Sequence, residues 1–338
     1  MPELWFVIIA VLWAGFVLLE GFDFGVGSLL PWLARDEMDR RVVLRTIGPV
    51  WDGNEVWLLV AGGATFAAFP EWYATVFSGF YVPLALLLLG LILRAVCLEY
   101  RQKVDSDAER AWLDRGVVVG SWLPSVLLGV ALANWVRGVA MDENYDMTDS
   151  LFDLLSPYAL LGGLATTLLF FFHGTVFVAL RTTDEVRERA LAFARRLGPA
   201  FVVVAVLWLG WSLSLRGSGL ATALALVAAG GAIVGVLGVR AGREGWAFLG
   251  TATTAALLPP FVFACTWPYV LPGRGTHGLT ITAAASSPYT LKVMTVVALA
   301  VTPVVIGYQA WTYWVFRARL TRPPVEASDV VPAQAAGR

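Results

Sequence analysis

The chain has 338 residues, 58% hydrophobic and only 14% charged, with a formal net charge of −1 and a mean hydropathy of +0.71. A soluble domain carries about a quarter charged residues, so that class is excluded, and no basic cluster points to nucleic acid. Apolar runs near the roughly 20 residues needed to cross a bilayer recur without the alternation of barrel strands, so the expected class is an all-α polytopic membrane protein.

Nine segments stand out in chain order: 4–33, 49–70, 73–99, 113–136, 151–180, 194–215, 219–239, 245–271 and 290–316. The start, MPELWF, lacks a basic stretch and a small-residue cleavage site, so the first segment is expected to stay as a helix. It carries Glu20 and Asp23 within LLEGFDFGVG. Gly21, Gly25 and Gly27 point to close helix packing; no lysine follows them as in a phosphate-binding loop. The second segment opens with Asp52 and Glu55 in PVWDGNEVWLL, and the third ends with Arg94 in GLILRAVCLEYR. Glu99 and Asp114 are expected to be ordinary interfacial charges.

In the acidic loop 138–150, Asp142, Glu143, Asp146 and Asp149 are expected in solvent. His173, in FFFHGTVF, is the one histidine within a segment, and His277 falls in the polar loop 272–289, expected to cap the outer face. Cys97 and Cys265 fall near opposite faces, which argues against a disulfide. Trp5, Trp32, Trp72, Trp112, Trp135, Trp246, Trp267 and Trp311 lie near segment ends, as in interfacial aromatic belts. Residues 322–338 read as a disordered tail.

Basic residues alternate between the two sets of loops. One set holds Arg35, Arg40, Arg41 and Arg45, then Arg101, Lys103, Arg110 and Arg115, then Arg181, Arg187, Arg189, Arg195 and Arg196, then Arg240 and Arg243, and finally Arg317, Arg319, Arg322 and Arg338. The opposite set offers Arg137, Arg216 and Arg274. The positive-inside rule then places the N-terminus outside and the C-terminus in the cytoplasm, which requires an odd number of spans.

Ionisable groups at membrane depth are expensive and default to a functional reading. At about 1.5 Å per residue, Glu20 and Asp23 lie roughly 24–29 Å from the outer end of the first helix. Asp52 and Glu55 lie within two turns of the inner end of the second, and Arg94 is near the inner end of the third. All five converge on one depth, and each acidic pair, spaced i, i+3, shares a helix face. Arg94 can neutralise one carboxylate as a structural pair. The remaining acids exceed it, and such a surplus open to the cytoplasm suits proton uptake, with Asp52 first, then Glu55, Asp23 and Glu20. His173 is a poor haem ligand, since no second ligand accompanies it.

The stretches GFDFGVG (21–27), GPVWDGNEVWLLVAGGATFAAFP (48–70), FSGFYVPLALLLLGLILRAVCLEYR (77–101) and SPYTLKVMTVVALAVTPVVIGYQAWTYWVF (287–316) resemble subunit II of cytochrome bd-type quinol oxidases. The similarity covers essentially the whole chain. It implies an enzyme complex of the bacterial plasma membrane that oxidises quinol, reduces oxygen to water and draws protons from the cytoplasm. Two b-type haems and one d-type haem are then expected in the partner, subunit I, and none in this chain, with a small single-helix subunit, lipid and quinone as further candidate partners. The resemblance places Asp52 on a proton path and Trp57 on the oxygen-access side. It also implies nine transmembrane helices: a bundle of four in residues 1–137, a second four in 151–271, and one more in 290–316. A proton-coupled secondary transporter is the alternative, although the acids are off-centre and occur in one half only.

Overall fold

The computed structural model describes residues 1–275 and 277–322; most of the expected tail lies outside them. Twelve α-helices make up almost all of it: α1 (Pro2–Leu33), α2 (Glu37–Ile47), α3 (Trp51–Ala68), α4 (Pro70–Gly79), α5 (Tyr81–Tyr100), α6 (Asp107–Arg137), α7 (Pro157–Arg181), α8 (Asp184–Arg216), α9 (Gly219–Arg240), α10 (Glu244–Thr266), α11 (Ile281–Ala284) and α12 (Pro288–Val315). An antiparallel two-stranded sheet, β1 (Tyr269–Leu271) with β2 (Leu279–Thr280), lies between α10 and α11.

Among the described residues, eight helices are long and apolar enough to cross a membrane: α1, α5, α6, α7, α8, α9, α10 and α12. The expected second span corresponds to α3, which is outside that set. It has 18 residues, and Asp52, Asn54 and Glu55 in its first turns dilute its apolar character. The expected third span is interrupted: α4 ends at Gly79 and α5 starts at Tyr81, with Phe80 outside helical geometry between them.

Local chemistry sets the helix starts. Pro157, Pro288 and Pro2 open their helices where a missing N–H is harmless. Ser156 and Ser287 cap α7 and α12 by accepting from Ala159 N at 3.2 Å and Thr290 N at 3.2 Å. Two arginine-rich stretches expected as loops are helical. Residues 184–193 form the first turns of α8, and 37–47 form α2, capped by Asp36 accepting from Asp39 N at 2.8 Å. Helix α2 buries Val42, Val43 and Ile47 and leaves Arg41 and Arg45 exposed.

Helices α1 and α7 form the centre, with α1 against α3, α6, α7 and α10. Glycine sets this approach. A Cβ at Gly25 would drive into the Phe170 carbonyl, and one at Gly174 would lie 2.6 Å from the Gly25 carbonyl carbon. Among the spans, α7 is the most enclosed and α12 the least; α12 touches the rest chiefly through α3.

Several expectations need correction. Trp5 and Trp72 are buried rather than interfacial. Trp5 donates to the Leu291 carbonyl at 3.2 Å, tying α1 to α12, and Trp72 packs among Phe69, Trp135 and Phe263. Trp32, Trp112, Trp246, Trp267 and Trp311 are exposed, as a belt requires. Asp149 is not solvated: it accepts from Ala140 N at 2.8 Å and pairs with Arg274. Asp114 is not an ordinary surface charge either, since it accepts from Arg101 Nε at 2.5 Å, and Arg101 also donates to Glu37 at 2.8 Å. Cys97 and Cys265 are both buried and free.

Candidate functional site

The acids in the apolar runs meet where α1, α3 and α5 converge. Glu20 and Arg94 are both fully enclosed and form an ion pair. Arg94 Nη2 also donates to Glu55 Oε2 at 3.2 Å, and its guanidinium carbon sits 4.7 Å above the Phe24 ring. One cation therefore faces carboxylates from two other helices while an aromatic face covers its third side. Arg94 gets this deep because α5 and α6 touch at glycine: a Cβ on Gly120 would lie 2.7 Å from Arg94 N.

Asp23, one turn beyond Glu20, is also fully buried. Its Oδ2 accepts from Asn54 Nδ2 at 2.7 Å, while Asn54 Oδ1 accepts from Gln309 Nε2 at 2.9 Å and the Tyr313 hydroxyl at 2.8 Å. A neutral amide, not a cation, answers this carboxylate, and α12 closes the network. Glu20 has ion contact without hydrogen-bond alignment. Both its oxygens, Asp23 Oδ1, and Arg94 Nε and Nη1 have no hydrogen-bond partner. Such concentrations of buried unsatisfied polar atoms are rare and call for an explanation. Two carboxylates, Glu20 and Glu55, share one guanidinium, and a third, Asp23, is held one turn away by an amide.

Four of the five expected residues, Glu20, Asp23, Glu55 and Arg94, are brought together. Asp52 is not: it is exposed in this chain, on the first turn of α3. Asn54, two residues on, points roughly 200° away around the helix, so when Asn54 faces Asp23, Asp52 faces outward. Trp57 is partly buried, its ring lying where a Cβ on Gly15 would be. Sequence reading missed Asn54, Gln309 and Tyr313. The signal was available for Gln309, an amide in the otherwise apolar VIGYQAW.

His173 is fully buried on α7. Nε2 lies 3.1 Å from the Leu18 carbonyl, which can only accept, and Nδ1 lies 2.7 Å from the Thr251 hydroxyl. With both nitrogens engaged, the ring offers no lone pair to iron. Among the described residues, no cluster of His, Cys, Asp and Glu could hold a metal.

The family model for cytochrome bd terminal oxidase subunit II matches residues 1–316. The chain belongs to this family. It is 39% identical over 329 residues to the cytochrome bd ubiquinol oxidase subunit 2 of Bacillus subtilis, covering 95% of this chain and 97% of that one. It is 31% identical over 363 residues to the cytochrome bd-I ubiquinol oxidase subunit 2 of Escherichia coli, covering 96% of each. The fold is similar to a chain in the structure of bd oxidase from Geobacillus thermodenitrificans, with a TM-score of 0.74 at 17% identity, over 93% of this chain and 98% of that one. The protein is thus a multi-pass subunit of a bacterial membrane oxidoreductase, and membership replaces the transporter alternative.

Proposed function

We propose that this chain is the haem-free subunit of a cytochrome bd-type oxidase and carries a proton path for oxygen reduction. Subunit I binds the two b-type haems and the d-type haem and oxidises quinol. What supports haem-free status is the engagement of both His173 nitrogens. Nine spans cross the membrane, α3 and the broken α4–α5 pair among them, with the N-terminus outside. They form a bundle of four in residues 1–137, a second in 151–271, and α12 beside α3.

One observation carries the proton path: carboxylates from α1 and α3, Glu20 and Glu55, meet on a single enclosed guanidinium, and a third, Asp23, is buried one turn beyond on an amide. Asp52, exposed at the end of α3 nearest the arginine-rich loops, receives the proton. Glu55, one turn along on the same helix face, takes it on, and Arg94 holds Glu55 and Glu20 close together. Asp23 lies beyond, its free Oδ1 able to hold a proton while Oδ2 keeps Asn54. Trp57 marks the oxygen-access side, among the exposed apolar residues Val56, Leu59 and Val60.

The test is Asp23→Asn and Asp52→Asn in the assembled oxidase. Haem content should persist while oxygen consumption slows, by roughly the 10²-fold at which a positioned proton-transfer group is typically valued. Full turnover in both variants would refute the path.

A further inference from the structure

The arginine-rich end of the molecule contains a cavity that the proton path does not use. It has a volume of about 530 Å³ and lies between α1, α7, α10 and α12. Its floor is apolar: Leu18, Phe22, Phe177, Phe248 and Ala252. Its mouth carries Arg181, Arg317 and Arg319. A cavity of roughly 150 Å³ with such walls takes up benzene, and this one is several times larger.

These arginines are poorly matched by acids. Arg181, at the end of α7, is partly buried and donates to the Phe316 carbonyl. Arg317 donates to the Trp314 carbonyl at 2.6 Å and lies 4.3 Å over that ring. Among the described residues, neither has a carboxylate in ion-pair range. Among the described residues Arg319 reaches Glu244 alone, at 3.8 Å, and Arg187 already holds that side chain. The backbone fixes the cluster: Leu320 N donates to the Arg181 carbonyl at 2.7 Å, and Thr183 N donates to the Leu320 carbonyl at 3.1 Å. The segment after α12 is thus clasped to the end of α7, and the three cations are held over one apolar hole.

We propose that this cavity binds an anionic glycerophospholipid, its phosphate on Arg181, Arg317 and Arg319 and an acyl chain along Phe22, Phe177 and Phe248. Charge complementarity selects the occupant. Planar guanidinium groups suit phosphate oxygens, the apolar floor suits a hydrocarbon chain, and the basic face is the one that meets anionic headgroups. A lipid held here bridges α12 to α7 and α10, which it otherwise barely touches. Tyr313, which donates to Asn54 in the Asp23 network, also lines the cavity, but the arginines and the apolar floor that define this site take no part in the proton path.

The test is native mass spectrometry of the assembled, haem-loaded oxidase titrated with phosphatidylglycerol or phosphatidylcholine after delipidation. Phosphatidylglycerol should be retained and phosphatidylcholine lost, a comparison that needs no variant. Each basic group near an anionic headgroup is worth roughly fivefold, so Arg181→Gln/Arg317→Gln should weaken retention roughly twenty-five-fold. Ala252→Phe, which fills the cavity and keeps every arginine, should abolish it; if the double variant fails to assemble, this one decides. Equal retention of both lipids, displacement by inorganic phosphate alone, recovery of a neutral quinone from the cavity, or indifference to Ala252→Phe would each overturn the proposal.

Discussion

Around Arg94, helices α1, α3 and α5 enclose a cation and three acids, whereas around His173, helices α7 and α10 enclose only neutral polar groups. In the second region the hydroxyls are satisfied locally. Thr175 donates to the Phe172 carbonyl at 2.8 Å, Thr251 to the Phe248 carbonyl at 3.0 Å, and Thr254 to the Ala228 carbonyl at 2.9 Å across to α9. The Arg94 region leaves five carboxylate and guanidinium atoms without hydrogen-bond partners. Neutral groups can be buried cheaply because backbone carbonyls answer them. Formal charges cannot, and they persist at membrane depth where chemistry uses them. On the proposed function, the difference separates a part of the molecule that packs from a part that exchanges protons.

The sharpest way to break this contrast is Arg94→Leu. It leaves Glu20 and Glu55 without their shared cation, at a cost of about 3–5 kcal/mol. The yield of haem-containing complex should collapse; a normal yield would mean that these acids reach water freely. Next, Gly25→Ala forces a methyl group into the Phe170 carbonyl at the seam between the regions. The overpacking should cost roughly 1–3 kcal/mol, read as a lower thermal midpoint, and an unmoved midpoint would show the helices are not in contact there.

Thr251→Val sharpens the contrast from the neutral side. It leaves His173 Nδ1 without its hydroxyl, worth roughly 1–3 kcal/mol when buried. Stability should fall while oxygen consumption per haem holds; a kinetic loss like that of Asp23→Asn would erase the distinction.

The smallest effect concerns the arginine-rich rim. Burial pushes the Glu37 carboxyl up, but Arg101 and Arg41 outweigh it, so the group sits below the usual carboxylate range. A lowered value adds stability that is present above the unfolded value of about 4.3 and is lost as pH falls through the folded value. Amide exchange in α2 should therefore stay slow at pH 5 and quicken only in stronger acid. Acceleration already near pH 6 would contradict the pairing.

The chain's apolar runs determined by themselves that this is a helical membrane protein, because no other backbone structure suits segments of that length and composition. The i, i+3 spacing of Glu20 with Asp23, and the shared depth of Arg94, likewise announced one charged cluster. Helix α2 and the arginine-rich start of α8 were illegible as helices in a search for apolar spans, since polar faces hide them. Only the tertiary structure decided how the charges are shared. Arg94 takes Glu20 and Glu55, Asp23 goes to Asn54, and Asp52 turns outward, because contacts between helices depend on rotation about each axis. That rotation is set by close approaches at Gly120 and Gly25 and by α12 lying on α3, long-range facts that no spacing along the chain encodes.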